Sequence, residues 1–202
     1  MSDRLVLASS SPRRKELLAS AGFTCDVDSA DVDETPPPDL RGAAPIATAL
    51  ARRKAAAVLA RRPKSPVDVI LAADTVVWLD GVLLGKPADD ADARRMLVLL
   101  SGKEHVVATG FCLVRADASG REIAGASATR VQFESLTPGA IDAYVATREP
   151  FDKAGGYAIQ GKAGLFVRSI SGSYSNVVGL PLAEIVEALA AISDLRPFGV
   201  SA

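Results

Sequence analysis

Leu5-Val6-Leu7-Ala8-Ser9-Ser10-Ser11-Pro12-Arg13-Arg14-Lys15-Glu16-Leu17-Leu18 changes character twice. The apolar run 5–8 reads as a buried first strand. Small hydroxyl residues end it, and a short helix follows over 13–21. Ser11 stands at the N-cap of that helix and Pro12 at its first position, where a missing amide proton costs nothing. Arg13 and Arg14 fall in the first turn, on the wrong side of the helix dipole. A bound anion reverses that account. Free amides, the hydroxyls of Ser9 and Ser11 and two guanidinium forks would then converge on phosphate.

Working outward, Leu17, Leu18 and Ala21 form the inward face of that helix and Gly22 stops it. A second strand is predicted over 23–27 and an acidic, proline-rich loop over 28–40, whose Asp31-Val32-Asp33-Glu34 can hang over a site. A helix over 45–60 is ended by Arg61-Arg62-Pro63, and 63–66 is a turn. The run 67–73 is a strongly buried strand that ends at Asp74-Thr75. Asp80-Gly81 between 76–79 and Val82–Leu84 marks a hairpin with a primed turn. Asp90–Leu100 is an amphipathic helix with Ala93, Met96, Leu97 and Leu100 on one face. Strands at 105–115 and Glu122–Phe133, a helix over 137–145, an irregular glycine-rich stretch at 149–164 and a strand at 165–170 follow. A last helix starts at Pro181 with Leu182, Ile185, Val186, Leu189 and Ile192 inward, and a loose tail begins near 196. Hairpins mixed with crossovers predict an α/β fold with a mixed sheet, in a single domain over 1–202.

Composition narrows the function classes. The chain has 202 residues, 49% of them hydrophobic and 23% charged, with a net charge of -1. Without a broad basic field, duplex nucleic acid is not expected as a partner, so any polyphosphate affinity must be local. Cys25 and Cys112 lack metal-motif spacing and read as reduced, structural thiols of a cytoplasmic protein. Asp3 and Arg4 before a very short apolar run do not read as a signal peptide. No apolar stretch reaches the about 20 residues that span a bilayer, so no membrane partner is expected.

Asp74 follows the buried run Val69-Ile70-Leu71-Ala72-Ala73, where α/β folds place their sites. It is a candidate to accept a proton from water or to hold a divalent ion, with Thr75 beside it and Asp33 and Glu34 as candidates for the same cluster. Lys86 (in Gly85-Lys86-Pro87) and Lys153 (in Asp152-Lys153-Ala154-Gly155) are point charges for polyphosphate; Lys54, read locally, is a surface lysine of an alanine-rich helix. Gly85-Lys86-Pro87 is not a Walker loop, and the later glycines fail the dinucleotide pattern. His105, the sole histidine, lacks the elbow motif of a serine-histidine hydrolase and reads as structural. Tyr157, Gln160, Phe166 and Tyr174 can seat a base or simply pack, and Asn176 can satisfy backbone.

Taken in order, these segments resemble the Maf family of nucleoside triphosphate pyrophosphatases. The likeness runs from Leu7-Ala8-Ser9-Ser10-Ser11-Pro12-Arg13-Arg14 through Asp33-Glu34, Leu50-Ala51-Arg52-Arg53-Lys54-Ala55, Ala73-Asp74-Thr75-Val76-Val77 and Gly85-Lys86-Pro87. It continues with Leu100-Ser101-Gly102, His105, Thr109, Glu149-Pro150-Phe151-Asp152-Lys153-Ala154-Gly155, Tyr157-Ala158-Ile159-Gln160-Gly161, Gly172-Ser173-Tyr174 and Val178-Gly179-Leu180-Pro181-Leu182.

The resemblance implies hydrolysis of a nucleoside triphosphate to the monophosphate and pyrophosphate with Mg2+ or Mn2+, in nucleotide-pool house-cleaning with a link to cell division. It implies the elongated two-lobed fold of inosine triphosphate pyrophosphatases, and a homodimer. It makes Asp74 the proton acceptor, ties Arg13, Thr75 and Gln160 to substrate choice, and lines the polar site with Arg14, Glu34, Lys54 and Lys86. Ser9, Ser11 and Lys153 join the phosphate-binding set, and Glu34 with Asp74 would hold the metal. One branch of the family has cysteine and glutamate where Lys153 and Gln160 stand and prefers 7-methyl-GTP; this chain is similar to the branch acting on dTTP and UTP. Two alternatives stay open: a nucleotide-binding regulator of cell division with little or no hydrolysis, and a phosphatase that removes the terminal phosphate.

Overall fold

The computed structural model describes residues 3–62 and 64–199. They build a seven-stranded mixed sheet from β1 (Arg4–Leu7), β2 (Cys25–Val27), β3 (Asp68–Leu79), β4 (Val82–Leu84), β5 (Glu104–Arg115), β6 (Glu122–Phe133) and β7 (Val167–Ser171). Strand order is β2-β1-β3-β5-β6-β7, with β4 also on β3. The first three pair in parallel; β3 to β7 pair antiparallel. The expected mixed-sheet α/β fold is the one observed.

Alternation along β3 distributes the helices. Ile70 and Ala72 face α2 (Ala43–Arg61), packing with Ala51, Ala55 and Val58. Val69, Leu71 and Ala73 face the other way, against Leu18 of α1 (Pro12–Ser20) and Ile185 and Leu189 of α6 (Leu182–Ile192). Further along that second face, Val77 and Leu79 pack with α3 (Asp90–Leu100) and α4 (Pro138–Ala146). Each fully buried leucine or isoleucine contributes about 1.5–3 kcal/mol. Period 2 in the strand therefore creates two layers on one face and one long helix on the other. Among the described residues no helix is long and apolar enough to cross a membrane.

Local chemistry sets most boundaries as expected. Asp89 caps α3, accepting from the Asp92 amide at 2.8 Å, and Thr137 caps α4, accepting from Ala140 at 3.2 Å. Asp80 and Gly81 take φ of 49° and 86°, the twist a two-residue hairpin needs.

Several expectations need correction. The strand predicted to stop at Asp74 runs on to Leu79, because β5 pairs with it without a break from Val69 to Trp78. Long-range pairing overrides the local Asp-Thr stop signal. Phe23 is buried in the core and β2 is only three residues long. Helix α2 begins at Ala43, ahead of Pro45, which the first turn of a helix tolerates. Leu165 belongs to a 3-10 turn, Lys162–Phe166, and β7 starts after it. A five-residue helix, α5 (Tyr174–Val178), occupies a stretch to which the sequence pattern assigns no element; Ser173 caps it, accepting from the Asn176 amide at 3.3 Å. Pro181 sits just ahead of α6 rather than inside it. Pro63, expected in the turn after α2, lies outside the described residues, as does the end of the expected tail, 200–202.

One glycine seats α2 on the sheet. A Cβ on Gly110 of β5 would stand 2.2 Å from the Ala47 carbonyl carbon and 2.3 Å from the Thr48 nitrogen. The backbones meet there with no room for a methyl. Gly110→Ala is therefore expected to destabilise the fold by at least about 1–3 kcal/mol, read as a lower urea midpoint; an unchanged midpoint contradicts this seating.

Candidate active site

β3 has one fully paired edge and one interrupted edge. On the interrupted edge β1 reaches Leu71 and β4 resumes at Val77. Residues 72–76 have no strand partner there among the described residues. A cleft of about 460 Å³ opens at this gap, within the range that holds a small-molecule ligand. Asp74 and Thr75 both line it, yet as strand neighbours they point to opposite faces. Asp74 faces α2 and Thr75 faces α1 and α5. The cleft thus wraps around a strand edge and draws groups from both layers.

On the α2 side, Lys54 is only 7% exposed, so its local reading as a surface lysine is corrected. Its Nζ lies 2.5 Å from Asp74 Oδ1 and 2.6 Å from Glu34 Oε1. Lys86 Nζ reaches Glu34 Oε2 at 3.1 Å. Burial works against the Glu34 charge, but Lys54 and Lys86 outweigh it and hold the carboxyl at about 2. Asp74 Oδ2 carries no protein hydrogen bond among the described residues and is left to the cleft. Asp33, expected in the same cluster, is not there: it caps its own turn through Thr35 and its carbonyl meets Arg53.

On the other side, Arg14 is held at its back. Nε donates to Gly179 O at 2.8 Å, Nη1 to Ser9 Oγ at 2.9 Å and Nη2 to Thr75 Oγ1 at 3.2 Å. Burial lowers the Arg14 pKa, and the Asp74 charge opposes that shift. Ser11 occupies the N-cap of α1 without a side-chain capping bond, and the residue lines the cleft. Arg13 Nη1 is 3.5 Å from Asp152 Oδ2. Lys153 donates to the Glu149 carbonyl at 2.8 Å and contacts Asp152. Asp152 was not among the candidates read from sequence, yet it links two cations of the cleft; its place beside Lys153 was the available signal.

Gln160 and Tyr157 line the cleft. The Tyr157 hydroxyl is spent on His105 Nε2 at 2.7 Å. Phe166 and Tyr174, also considered for seating a base, are elsewhere. Phe166 packs in the core with Phe133 and Tyr144, and Tyr174 is largely exposed outside the cleft. The loop carrying Gln160 is anchored by Glu149, which accepts from Tyr144 Oη at 3.0 Å and from the Lys162 amide at 3.1 Å. Asn176 is fully buried and satisfies backbone at Val107 and Thr109. Cys112 is buried and Cys25 half-buried, both as free thiols. Among the described residues no group of three or more His, Cys, Asp or Glu side chains is placed to hold a metal alone.

The family model described as Maf-like protein matches residues 4–192. A protein of Anaeromyxobacter dehalogenans (strain 2CP-C) named dTTP/UTP pyrophosphatase is 53% identical over 190 residues, spanning 91% of both chains. One of the same name from Geobacter sulfurreducens is 50% identical over 198 residues, spanning 97% of both. The solved structure of a HAM1 protein from Coxiella burnetii matches with a TM-score of 0.52 at 15% identity, covering 94% of this chain and 99% of that one, a likeness of fold alone.

Burial pushes the His105 pKa down to about 4. An unfolded chain takes up that proton near 6.5. Between these values the unfolded state binds more protons, so stability falls as pH drops from about 6.5 to about 4, with a slope of up to about 1.4 kcal/mol per pH unit. Urea midpoints over this range are expected to fall more steeply for the wild type than for His105→Gln; parallel profiles contradict the buried neutral imidazole.

Proposed function

The chain belongs to the Maf-like protein family, and from that premise we propose that it hydrolyses nucleoside triphosphates, dTTP and UTP foremost, to the monophosphate and pyrophosphate. The observation that carries the reading is the asymmetry of charge around the open edge of β3. Cationic side chains from both faces line the cleft that Asp74 shares, and its Oδ2 is taken by no protein donor among the described residues.

Arg14 presents a phosphate fork, and Arg13, Lys54, Lys86 and Lys153 add positive charge along the same cleft. Ser9 and Ser11 contribute hydroxyls at the start of α1. Asp74 Oδ2 orients a water and accepts its proton. The water oxygen bonds to the α-phosphorus while the bond from that phosphorus to the α–β bridging oxygen breaks. Pyrophosphate leaves with the electron pair on the bridging oxygen. The cations meet the charge that gathers there, which is where preorganised electrostatics lower a barrier most.

Glu34 and Asp74 are hard oxygen donors beside the expected triphosphate, a set that suits Mg2+ or Mn2+ bound through one or two carboxylates and substrate phosphates. Such an ion supplies charge neutralisation for the polyphosphate. Lys54 stands between the two carboxylates, so it shares the role of counter-charge on the protein side.

Gln160 is the group best suited to a pyrimidine edge. Its amide offers both a donor and an acceptor, matching a carbonyl oxygen and the neighbouring ring N–H of uracil or thymine. Arg13 and Thr75 belong to the same selecting set by family resemblance. A homodimer, a cytoplasmic setting and a house-cleaning role complete the proposal on that resemblance.

Incubation with UTP and Mg2+ is expected to yield UMP and pyrophosphate in equal amounts, with Asp74→Asn slower by about 10²–10⁴-fold. Diphosphate with inorganic phosphate would mark a terminal phosphatase. Binding without turnover would mark a regulator, and a fully active Asp74→Asn would remove Asp74 from the chemistry.

A further inference from the structure

Thr109 of β5 faces Thr75 of β3 directly across the ladder and is wholly buried, outside the cleft lining. Its backbone N–H donates to Asn176 Oδ1 at 3.0 Å and its hydroxyl donates to the Asn176 carbonyl at 2.9 Å. Thr75 Oγ1 lies 2.9 Å from Thr109 Oγ1 and accepts from Arg14 Nη2 at 3.2 Å.

Each hydroxyl owns a single proton, a carbonyl only accepts, and a guanidinium only donates. One assignment makes all three bonds: Arg14 donates to Thr75, Thr75 to Thr109, and Thr109 to the Asn176 carbonyl. The far end is fixed, because Asn176 Nδ2 also donates to Val107 O at 3.0 Å and Thr129 Oγ1 at 2.9 Å. Thr75 thus spends its proton on Thr109 and turns a lone pair to Arg14. Arg14 uses three of the five N–H groups a guanidinium carries, among the described residues, leaving one on each terminal nitrogen. Those two remain to meet an anion in the cleft.

We propose that Thr109 is a positioning residue that, through Thr75, aims Arg14 at the polyphosphate. This rests on the cleft being a triphosphate site, and it deepens that reading by tracing the aim of Arg14 to a buried hydroxyl behind the cleft wall. In a buried chain of this kind, deleting one hydroxyl leaves the next group without its partner and frees the guanidinium to rotate.

The probe is inorganic tripolyphosphate, which has no base, titrated calorimetrically into the full-length protein. Thr109→Val and Thr75→Val are each expected to weaken its binding about tenfold, and Thr109→Ser to restore it to within about twofold. In an Arg14→Lys background Thr109→Val is expected to add nothing further, a coupling that general loosening of the fold would not produce. With UTP and GTP as paired substrates, Thr109→Val lowers kcat/KM by the same factor for both. Thr75→Val sits at the cleft edge and keeps the test alive should Thr109→Val fail to fold. The proposal is overturned if wild type does not bind tripolyphosphate, if Thr75→Val binds it as tightly as wild type, or if a folded Thr109→Val changes the ratio of UTP to GTP. Absence of pyrophosphate release from wild type would instead overturn the hydrolytic reading, leaving the tripolyphosphate result to stand by itself.

Discussion

An ammonium held between two carboxylates organises this molecule. Lys54 is nearly buried and contacts both Asp74 and Glu34. A buried charge without a partner is costly, and removing one member of such a pair typically costs about 3–5 kcal/mol. The contact therefore constrains three separate parts of the chain at once. Helix α2 must lie close over β3 and β5, which its alanines and Gly110 permit. The proline-rich loop must bring Glu34 back over the helix. Strand β3 must present Asp74 on the α2 face. What results is a carboxylate with one oxygen pinned and the other left to solvent, in a cleft otherwise rich in cations.

The second constraint is the interruption on the free edge of β3. Because β1 ends at Leu7, opposite Leu71, and antiparallel β4 ends at Leu84, opposite Val77, the strand edge between them is bare among the described residues. Neighbouring residues on a strand face opposite ways, so a cleft at a bare edge reaches groups on both faces. That is how Asp74 meets Lys54 while Thr75 meets Arg14. One face supplies the carboxylate and its counter-charge; the other supplies the guanidinium and the buried hydroxyls that hold it.

Much of the fold was legible because its signals are local. The Asp-Gly hairpin, Thr137-Pro138 at the start of α4 and the spacing of Ala93, Met96, Leu97 and Leu100 each decide their element alone. The misreadings share a cause in long-range contact. Asp74-Thr75 looks like a strand end until β5 pairs along it. Residues 174–178 show no element of their own in sequence; Asn176 is drawn into the gap between the two core clusters of that face, where Val177 packs with one and Leu180 with the other. The site was legible as a list of residue types but not as a set of partners. Lys54 reads as a surface lysine because it follows Arg52-Arg53 in an alanine-rich helix with no acidic partner of its own; only the approach of Asp74 and Glu34 explains its burial. Asp33 and Glu34 are neighbours in sequence, yet one turns away to Thr35 and the other turns in. Gly110 carries no local signature, since it matters through the backbone opposite, and Asp152 shows only its neighbour Lys153 and not its contact with Arg13.

If Lys54 organises the site, its charge is required for turnover and not only for shape. The most direct measurement is the steady-state rate of UTP hydrolysis by Lys54→Met, on protein whose far-UV circular dichroism matches that of the wild type. The account expects kcat to fall by about a hundredfold or more, the scale of losing one preorganised charge at a reacting centre. A folded Lys54→Met enzyme turning over UTP at the wild-type rate would contradict it.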